Sequence, residues 1–73
     1  MPKLTSLPTD RVLKALERAG WMPYGGGKHC KLKRHGNGHA LAVPRHPRLK
    51  PGLIRALMRQ AGLTPEQFWE LYR

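Results

Sequence analysis

Residues 25–34 read Gly-Gly-Gly-Lys-His-Cys-Lys-Leu-Lys-Arg, a three-glycine loop that runs into a short alternating segment. Glycine accepts positive φ angles and lets a backbone come close to a bulky anionic ligand. Side chains alternate between the two faces of a strand, so His29, Lys31 and Lys33 point one way, and the cysteine, leucine and arginine between and after them point the other. The segment therefore predicts a strand that presents a histidine and two lysines together, as a site that handles phosphate would.

The composition also indicates an anionic partner. The 73 residues include 14 Lys and Arg against 4 Asp and Glu, which gives a formal charge of +10, and between Arg18 and Pro65 there is no acid at all. Such a large excess of positive charge is typical of proteins that bind nucleic acid. Solubility alone does not require acids to be excluded from a whole region. A membrane-surface protein would carry its positive charge on an amphipathic helix, whereas here most of it lies outside the predicted helices.

The length predicts a single small domain, residues 1–73, with residues 1–8 as a flexible N-terminal arm. Cys30 is the only cysteine, so no internal disulfide can form, and a reducing cytoplasm is expected. No long apolar run is present at the N-terminus, so neither a signal peptide nor a membrane span is expected.

Apolar spacing predicts a first helix that begins with Thr9 as its N-cap and ends at Gly20. Three strands follow, over residues 21–24, 28–34 and 39–43. Pro23 suits an edge position in the sheet, and residues 35–38 form a hairpin turn. An irregular basic connection is expected over residues 45–51.

A second helix is predicted from Leu53 to Ala61, with Gly62 as its stop signal. Thr64 and Gln67 form a capping box for a short third helix, whose aromatic side chains are expected in the core. The predicted fold is α+β: a helix, a three-stranded antiparallel sheet and a helix, with the helices on one face of the sheet, plus the short C-terminal helix.

The order of these elements and two short motifs resemble the HicA-type toxins of toxin–antitoxin systems. Gly27-Lys28-His29 occupies the place of the family's glycine, hydroxyl residue and histidine, although Lys28 replaces the usual Ser or Thr. The second motif is Val43-Pro44-Arg45-His46 at the end of the third strand, and the likeness covers roughly residues 9–70. The resemblance implies a double-stranded-RNA-binding-like fold, ribosome-independent cleavage of mRNA, and a HicB-type antitoxin as partner.

His29 is the predicted catalytic residue, since an imidazole can exchange protons near neutral pH. The predicted RNA- and phosphate-binding residues are Gly27, Lys28, Lys31, Lys33, Arg45 and His46. RNA can be cut without a metal because its own 2′-hydroxyl attacks the adjacent phosphate, so no cofactor and no metal are expected. The second proton-transfer group is left open between His46, Lys28 and water. A zinc site built from Cys30, His35, His39 and His46 is disfavoured because their spacings match no common zinc pattern.

Two alternatives belong to other functional classes. A non-catalytic double-stranded-RNA-binding module would use basic loops to contact phosphates, but the second helix opens with Lys50-Pro51-Gly52-Leu53 rather than a lysine cluster. A helix-turn-helix DNA regulator would use residues 53–72, but its recognition helix would carry Glu66 and Glu70, a poor surface for a major groove. Cleavage preference, physiological trigger and oligomeric state do not follow from the sequence.

Overall fold

The three predicted strands form one antiparallel sheet in a computed structural model of the chain. The structure describes residues 4–36 and 38–73. The elements are β1 (Leu7–Pro8), α1 (Thr9–Arg18), β2 (Met22–Gly25), β3 (His29–Lys33), β4 (Leu41–Pro44), β5 (Arg48–Leu49), α2 (Pro51–Ala61) and α3 (Pro65–Tyr72). The sheet has the order β2-β3-β4, and this confirms the predicted α+β fold. Asn37 of the predicted hairpin turn and residues 1–3 of the predicted arm lie outside the described residues.

The core lies between the inner face of the sheet and the three helices. Inner side chains of β3 and β4, namely Cys30, Leu32, Leu41 and Val43, are all buried. They join a hydrophobic cluster to which α1, α2 and α3 contribute apolar side chains. The opposite face of the sheet is left open to solvent, because the helices all pack on one side.

The start of α1 differs from the prediction. Thr9 is not the N-cap: that position is held by Pro8, and no side chain caps the helix. Thr9 is instead buried, its hydroxyl donates a hydrogen bond to the His46 carbonyl, and its backbone N–H donates to the Pro47 carbonyl at 3.1 Å. A tertiary contact with the loop after β4 has replaced the local cap.

Next to this contact of Thr9, β1 and β5 form a two-stranded ribbon that was not predicted. Leu7 pairs with Leu49 and Pro8 with Arg48, in antiparallel register. Both leucines are buried, so β1 covers one side of the core. The connection predicted to be irregular therefore contains a strand, and the last two residues of the predicted N-terminal arm pair with it.

The sheet strands agree with the prediction in type and differ in their bounds. β2 is an edge strand that contains Pro23, as expected. Trp21, placed in that strand by the sequence, precedes it and is fully buried. β4 begins at Leu41 rather than His39. The centre of the His39 ring lies 5.8 Å from the centre of the Trp21 ring, and His39 Nε2 is 2.9 Å from the Gln60 carbonyl oxygen.

The helices that follow confirm their predicted signals. α2 ends at Gly62, which takes the left-handed conformation with φ 74°, and Thr64 and Gln67 form both hydrogen bonds of the capping box of α3. α3 packs against α1, with Phe68 in the core. The Arg18 guanidinium of α1 donates to the carbonyls of Leu71 at 2.6 Å and Arg73 at 3.0 Å. Within the described ranges, every helix is too short or too polar to cross a membrane.

Candidate active site

The outer face of β3 carries the predicted catalytic histidine. His29, Lys31 and Lys33 are exposed, while Cys30 and Leu32 between them are buried. β3 is the central strand of the sheet, so these three side chains form a stripe along the middle of the open face. The predicted division of the strand into a basic outer face and an apolar inner face is confirmed.

The neighbours of this stripe are small or compact. Lys31 lies opposite Ala42 on β4 and Gly25 on β2, and His29 lies opposite Pro44. Residues directly opposite in a ladder share a face of the sheet. Neither glycine nor alanine can cover the lysine between them, so the stripe stays accessible to a large ligand.

The glycine loop fits tightly against the strand that carries His29. Gly26 has φ +110°, and a Cβ at this position would lie 1.9 Å from the carbonyl oxygen of His29. The sequence suggested that the glycines admit a ligand. At Gly26 the close approach is instead to the chain's own backbone, whereas a Cβ on Gly27 would meet no atom within 4 Å.

Arg45 holds this loop in place. Its Nε donates to the Gly27 carbonyl at 2.8 Å and its Nη2 to the Gly26 carbonyl at 3.4 Å. Its backbone N–H donates to the Lys28 carbonyl at 3.3 Å, so the pairing of β3 and β4 continues to the loop. The sequence predicted Arg45 as a phosphate ligand and missed its contacts with the loop, because nothing in the sequence signals a side-chain contact across 18 residues.

His46 lies beside a separate notch. A cavity of about 380 Å³ is lined by Thr9, Asp10, Leu13, Cys30, Pro44, Arg45, His46 and Pro47, and not by His29. Asp10 therefore reaches the surroundings of Arg45 and His46. The sequence does not indicate this proximity of Asp10 to Arg45 and His46, which arises because folding brings the first turn of α1 against the loop after β4.

The predicted site residues thus fall into neighbouring groups. The stripe of His29, Lys31 and Lys33 lies on the sheet, and Gly27, Lys28 and Arg45 meet at its loop end. His46 lines the notch. The other histidines are elsewhere, His35 exposed after β3 and His39 against α2. Across residues 4–36 and 38–73, no three His, Cys, Asp or Glu side chains are placed to hold a metal ion together.

Among residues 4–36 and 38–73, no carboxylate lies within 4.0 Å of a cation of the stripe. In the described part of the chain, the ion pair within 4.0 Å joins Glu70 and Arg73 on the C-terminal side of α3. The Lys33 ammonium lies 4.9 Å from the centre of the Tyr24 ring. No role for Tyr24 follows from the sequence, but its contact with Lys33 places its ring on the outer face of the sheet.

Comparison with known proteins gives the family. No curated protein matched the chain. A family model described as the HicA toxin of bacterial toxin–antitoxin systems matches residues 9–63, about three-quarters of the chain. The match runs from the first residue of α1 to just beyond α2, and so includes the whole sheet, the glycine loop and the stripe. The chain belongs to the HicA family of toxins.

Proposed function

We propose that this protein is an endoribonuclease that cleaves mRNA in the cytoplasm and is held inactive by a HicB-type antitoxin. One observation carries the proposal: an exposed histidine lies on the central strand of an open sheet face, in line with two lysines that have no carboxylate partner in the described part of the chain. Membership of a toxin family supports the biological role. The absence of acids from the middle of the sequence supports a polyanionic substrate.

The reaction uses a nucleophile that RNA itself supplies. The 2′-oxygen forms a bond to the adjacent phosphorus as the bond from phosphorus to the 5′-oxygen breaks. His29 takes the proton from the 2′-hydroxyl, and the departing 5′-oxygen gains a proton from a second group. The products are a 2′,3′-cyclic phosphate and a 5′-hydroxyl. Lys28 directly precedes His29, Lys31 lies two residues after it on the same face, and both stabilise the negative charge that builds up on the phosphate.

The structure offers two side chains for the second proton transfer. Lys28 directly precedes His29, and its carbonyl is held by the Arg45 N–H. His46 is one residue beyond Arg45, at the notch. A His46→Ala substitution that slows cleavage while leaving RNA affinity unchanged would assign the role to His46. An unchanged rate would leave Lys28 or water.

Cleavage by His29 can be tested with a matched control. General acid–base catalysis contributes about 10²- to 10⁴-fold, so His29→Ala should lower the single-turnover rate on single-stranded RNA by that factor. His39→Ala removes another exposed histidine, one that lies against α2 and away from the stripe, and should cut at the wild-type rate. Equal rates for His29→Ala and wild type, with both folded, would contradict the assignment.

The substrate and metal requirements follow from the same chemistry. The protein should cut single-stranded RNA in the presence of a chelator and should leave an oligonucleotide with a single 2′-deoxy substitution at the cleavage site intact. Cutting of that oligonucleotide, or loss of all activity in the chelator, would show a different mechanism. Duplex RNA and duplex DNA as further substrates separate a nuclease from a double-stranded-RNA binder and a DNA regulator.

The antitoxin is expected to be acidic and to cover the His29 face. A surface of this charge attracts an oppositely charged partner rapidly at low salt. The complex should be unable to bind RNA, and Lys31→Glu should weaken it, while Arg59→Glu, on the exposed side of α2, should not. Binding of RNA by the intact complex would place the antitoxin elsewhere.

The helix-turn-helix alternative loses support from the packing of α3. Phe68 and Tyr72 are buried, so this helix is fixed against α1. Its exposed positions include Glu66 and Glu70, which would repel a DNA backbone. No comparable obstacle faces RNA at the sheet.

A further inference from the structure

The outer face of β2 carries an exposed apolar pair beside the basic stripe. Among the described residues, the large apolar side chains that are exposed are Met22, at 68%, and Tyr24, at 49%. Met22 lies directly opposite Lys33 in the ladder, and the Tyr24 ring lies beside the Lys33 ammonium on the same face. Both therefore adjoin Lys33, at the opposite end of the stripe from His29.

This pair belongs to a shallow cleft with a basic rim. The cleft, of about 420 Å³, is lined by Met22, Pro23, Tyr24, Lys33, Arg34 and His35. Three of the six are basic side chains and none is acidic. The Lys33 ammonium lies 4.9 Å from the Tyr24 ring centre, over the π face, so the cation and the aromatic ring form one composite surface.

We propose that Tyr24 is a stacking site for an unpaired RNA base, with Lys33 bound to the phosphate of the same nucleotide. The inference rests on the proposed function and adds a binding subsite to it. Aromatic rings on a sheet stack bases of single-stranded RNA, and cations beside them bind the backbone. Lys33 is four residues from His29 along β3, or about 13 Å at the rise of a strand. The stacked base therefore neighbours the cleavage site and is not part of it.

An RNA base fits this surface better than a protein strand does. A partner strand would have to pair with the open edge of β2, but Pro23 lacks an N–H and the register shifts between Pro23 and Gly25. Both features hinder strand addition. The apolar area is limited to two side chains, and its rim is basic, which suits a flat ring attached to a phosphate.

The subsite also gives a preference for single strands. Bases in a duplex are stacked on one another and cannot lie against a protein ring, so Tyr24 can contribute only where a base is unpaired. Contacts of Lys31 and Lys33 with phosphates remain available to both forms. The difference in affinity between single-stranded and duplex RNA is then assigned largely to Tyr24.

The test measures binding separately from cleavage. A single-stranded oligonucleotide with 2′-O-methyl groups throughout cannot be cut by the proposed reaction, and one 2-aminopurine in it reports stacking by loss of fluorescence. Base–aromatic stacking is worth about 1–3 kcal/mol, so Tyr24→Leu should weaken binding by roughly 5- to 140-fold at fixed salt. Tyr24→Phe keeps the ring and should bind like wild type. Leucine keeps apolar bulk but has no ring, so the comparison of Tyr24→Leu with Tyr24→Phe separates stacking from hydrophobic contact.

Each outcome decides the inference. A loss with Tyr24→Leu but not Tyr24→Phe, confined to single strands and accompanied by reduced quenching, supports it. Equal affinity for all three proteins overturns it, even if Tyr24→Leu weakens antitoxin binding, since Tyr24 would then serve the protein partner. An equal loss on duplex RNA also overturns it. If the wild type binds this oligonucleotide with quenching and cuts no RNA, the proposed nuclease activity fails while the stacking site stands.

Discussion

Gly26→Ala places a methyl group where the structure leaves no space. The new Cβ would lie 1.9 Å from the His29 carbonyl oxygen, 3.1 Å from the His29 carbonyl carbon and 3.2 Å from the Lys31 nitrogen. All three are backbone atoms of β3, so no side-chain rotation can relieve the contact. Since real Cβ atoms essentially never come within 3.0 Å of another atom, the loop and the strand must separate by about 1 Å.

Two terms contribute to the loss of stability. A non-glycine residue at this φ of +110° costs about 1–3 kcal/mol, and forcing extra volume into a packed site costs about 1–3 kcal/mol. The sum, about 2–6 kcal/mol, is a large part of the roughly 4–11 kcal/mol expected for a domain of this length. The separation of loop and strand would also displace His29, and an error of about 1 Å in the position of a catalytic group can slow catalysis about 100-fold.

The neighbouring glycine is the matched control. Gly27 does not have a positive φ, and its Cβ would meet no atom within 4 Å. Gly27→Ala should be neutral or stabilise by up to about 1 kcal/mol, since alanine restricts the unfolded chain. Urea unfolding gives both free energies, and cleavage of a labelled RNA gives the rates. If the two variants have the same stability and rate, the loop does not approach His29 as described.

Three further changes test other parts of the structure. Arg45→Lys keeps the charge but loses the two-pronged contact with the Gly26 and Gly27 carbonyls, so the cleavage rate should fall while the salt dependence of RNA binding stays the same; a changed salt dependence at an unchanged rate would make Arg45 a phosphate ligand only. Lys31→Gln should reduce the slope of log affinity against log salt by about 0.7 on single strands, and a slope equal to that of wild type would show that Lys31 contacts no phosphate. Phe68→Ala should destabilise the domain by about 3–5 kcal/mol, as measured by urea unfolding, and a loss below 1 kcal/mol would mean that α3 is not part of the core.

The sequence predicted the features that depend on local periodicity and local hydrogen bonding. Alternation between His29 and Lys33 gave the two faces of β3, the capping box gave the start of α3, and Gly62 gave the end of α2. Each of these signals lies within a few residues of its effect. These local signals were enough to predict the fold and the stripe of His29, Lys31 and Lys33.

The remainder depends on contacts between distant residues. A two-residue pairing such as β1 with β5 has no periodicity to detect, and Thr9 has the residue type of an N-cap although its hydroxyl binds the His46 carbonyl. Asp10 reaches the notch, and Arg45 the glycine loop, only when the chain is folded. Sequence identifies these residues but not their partners.

The contact between α1 and α3 has a consequence for synthesis of the toxin. Arg11 and Arg18 bind groups on α3 that lie 53 to 61 residues further along the chain. Contacts of such high sequence separation cannot form on the ribosome until residue 72 has been made. We therefore expect the core of the nascent chain, and with it the support for the His29 face, to stay incomplete until α3 has been synthesised, however early the sheet strands emerge.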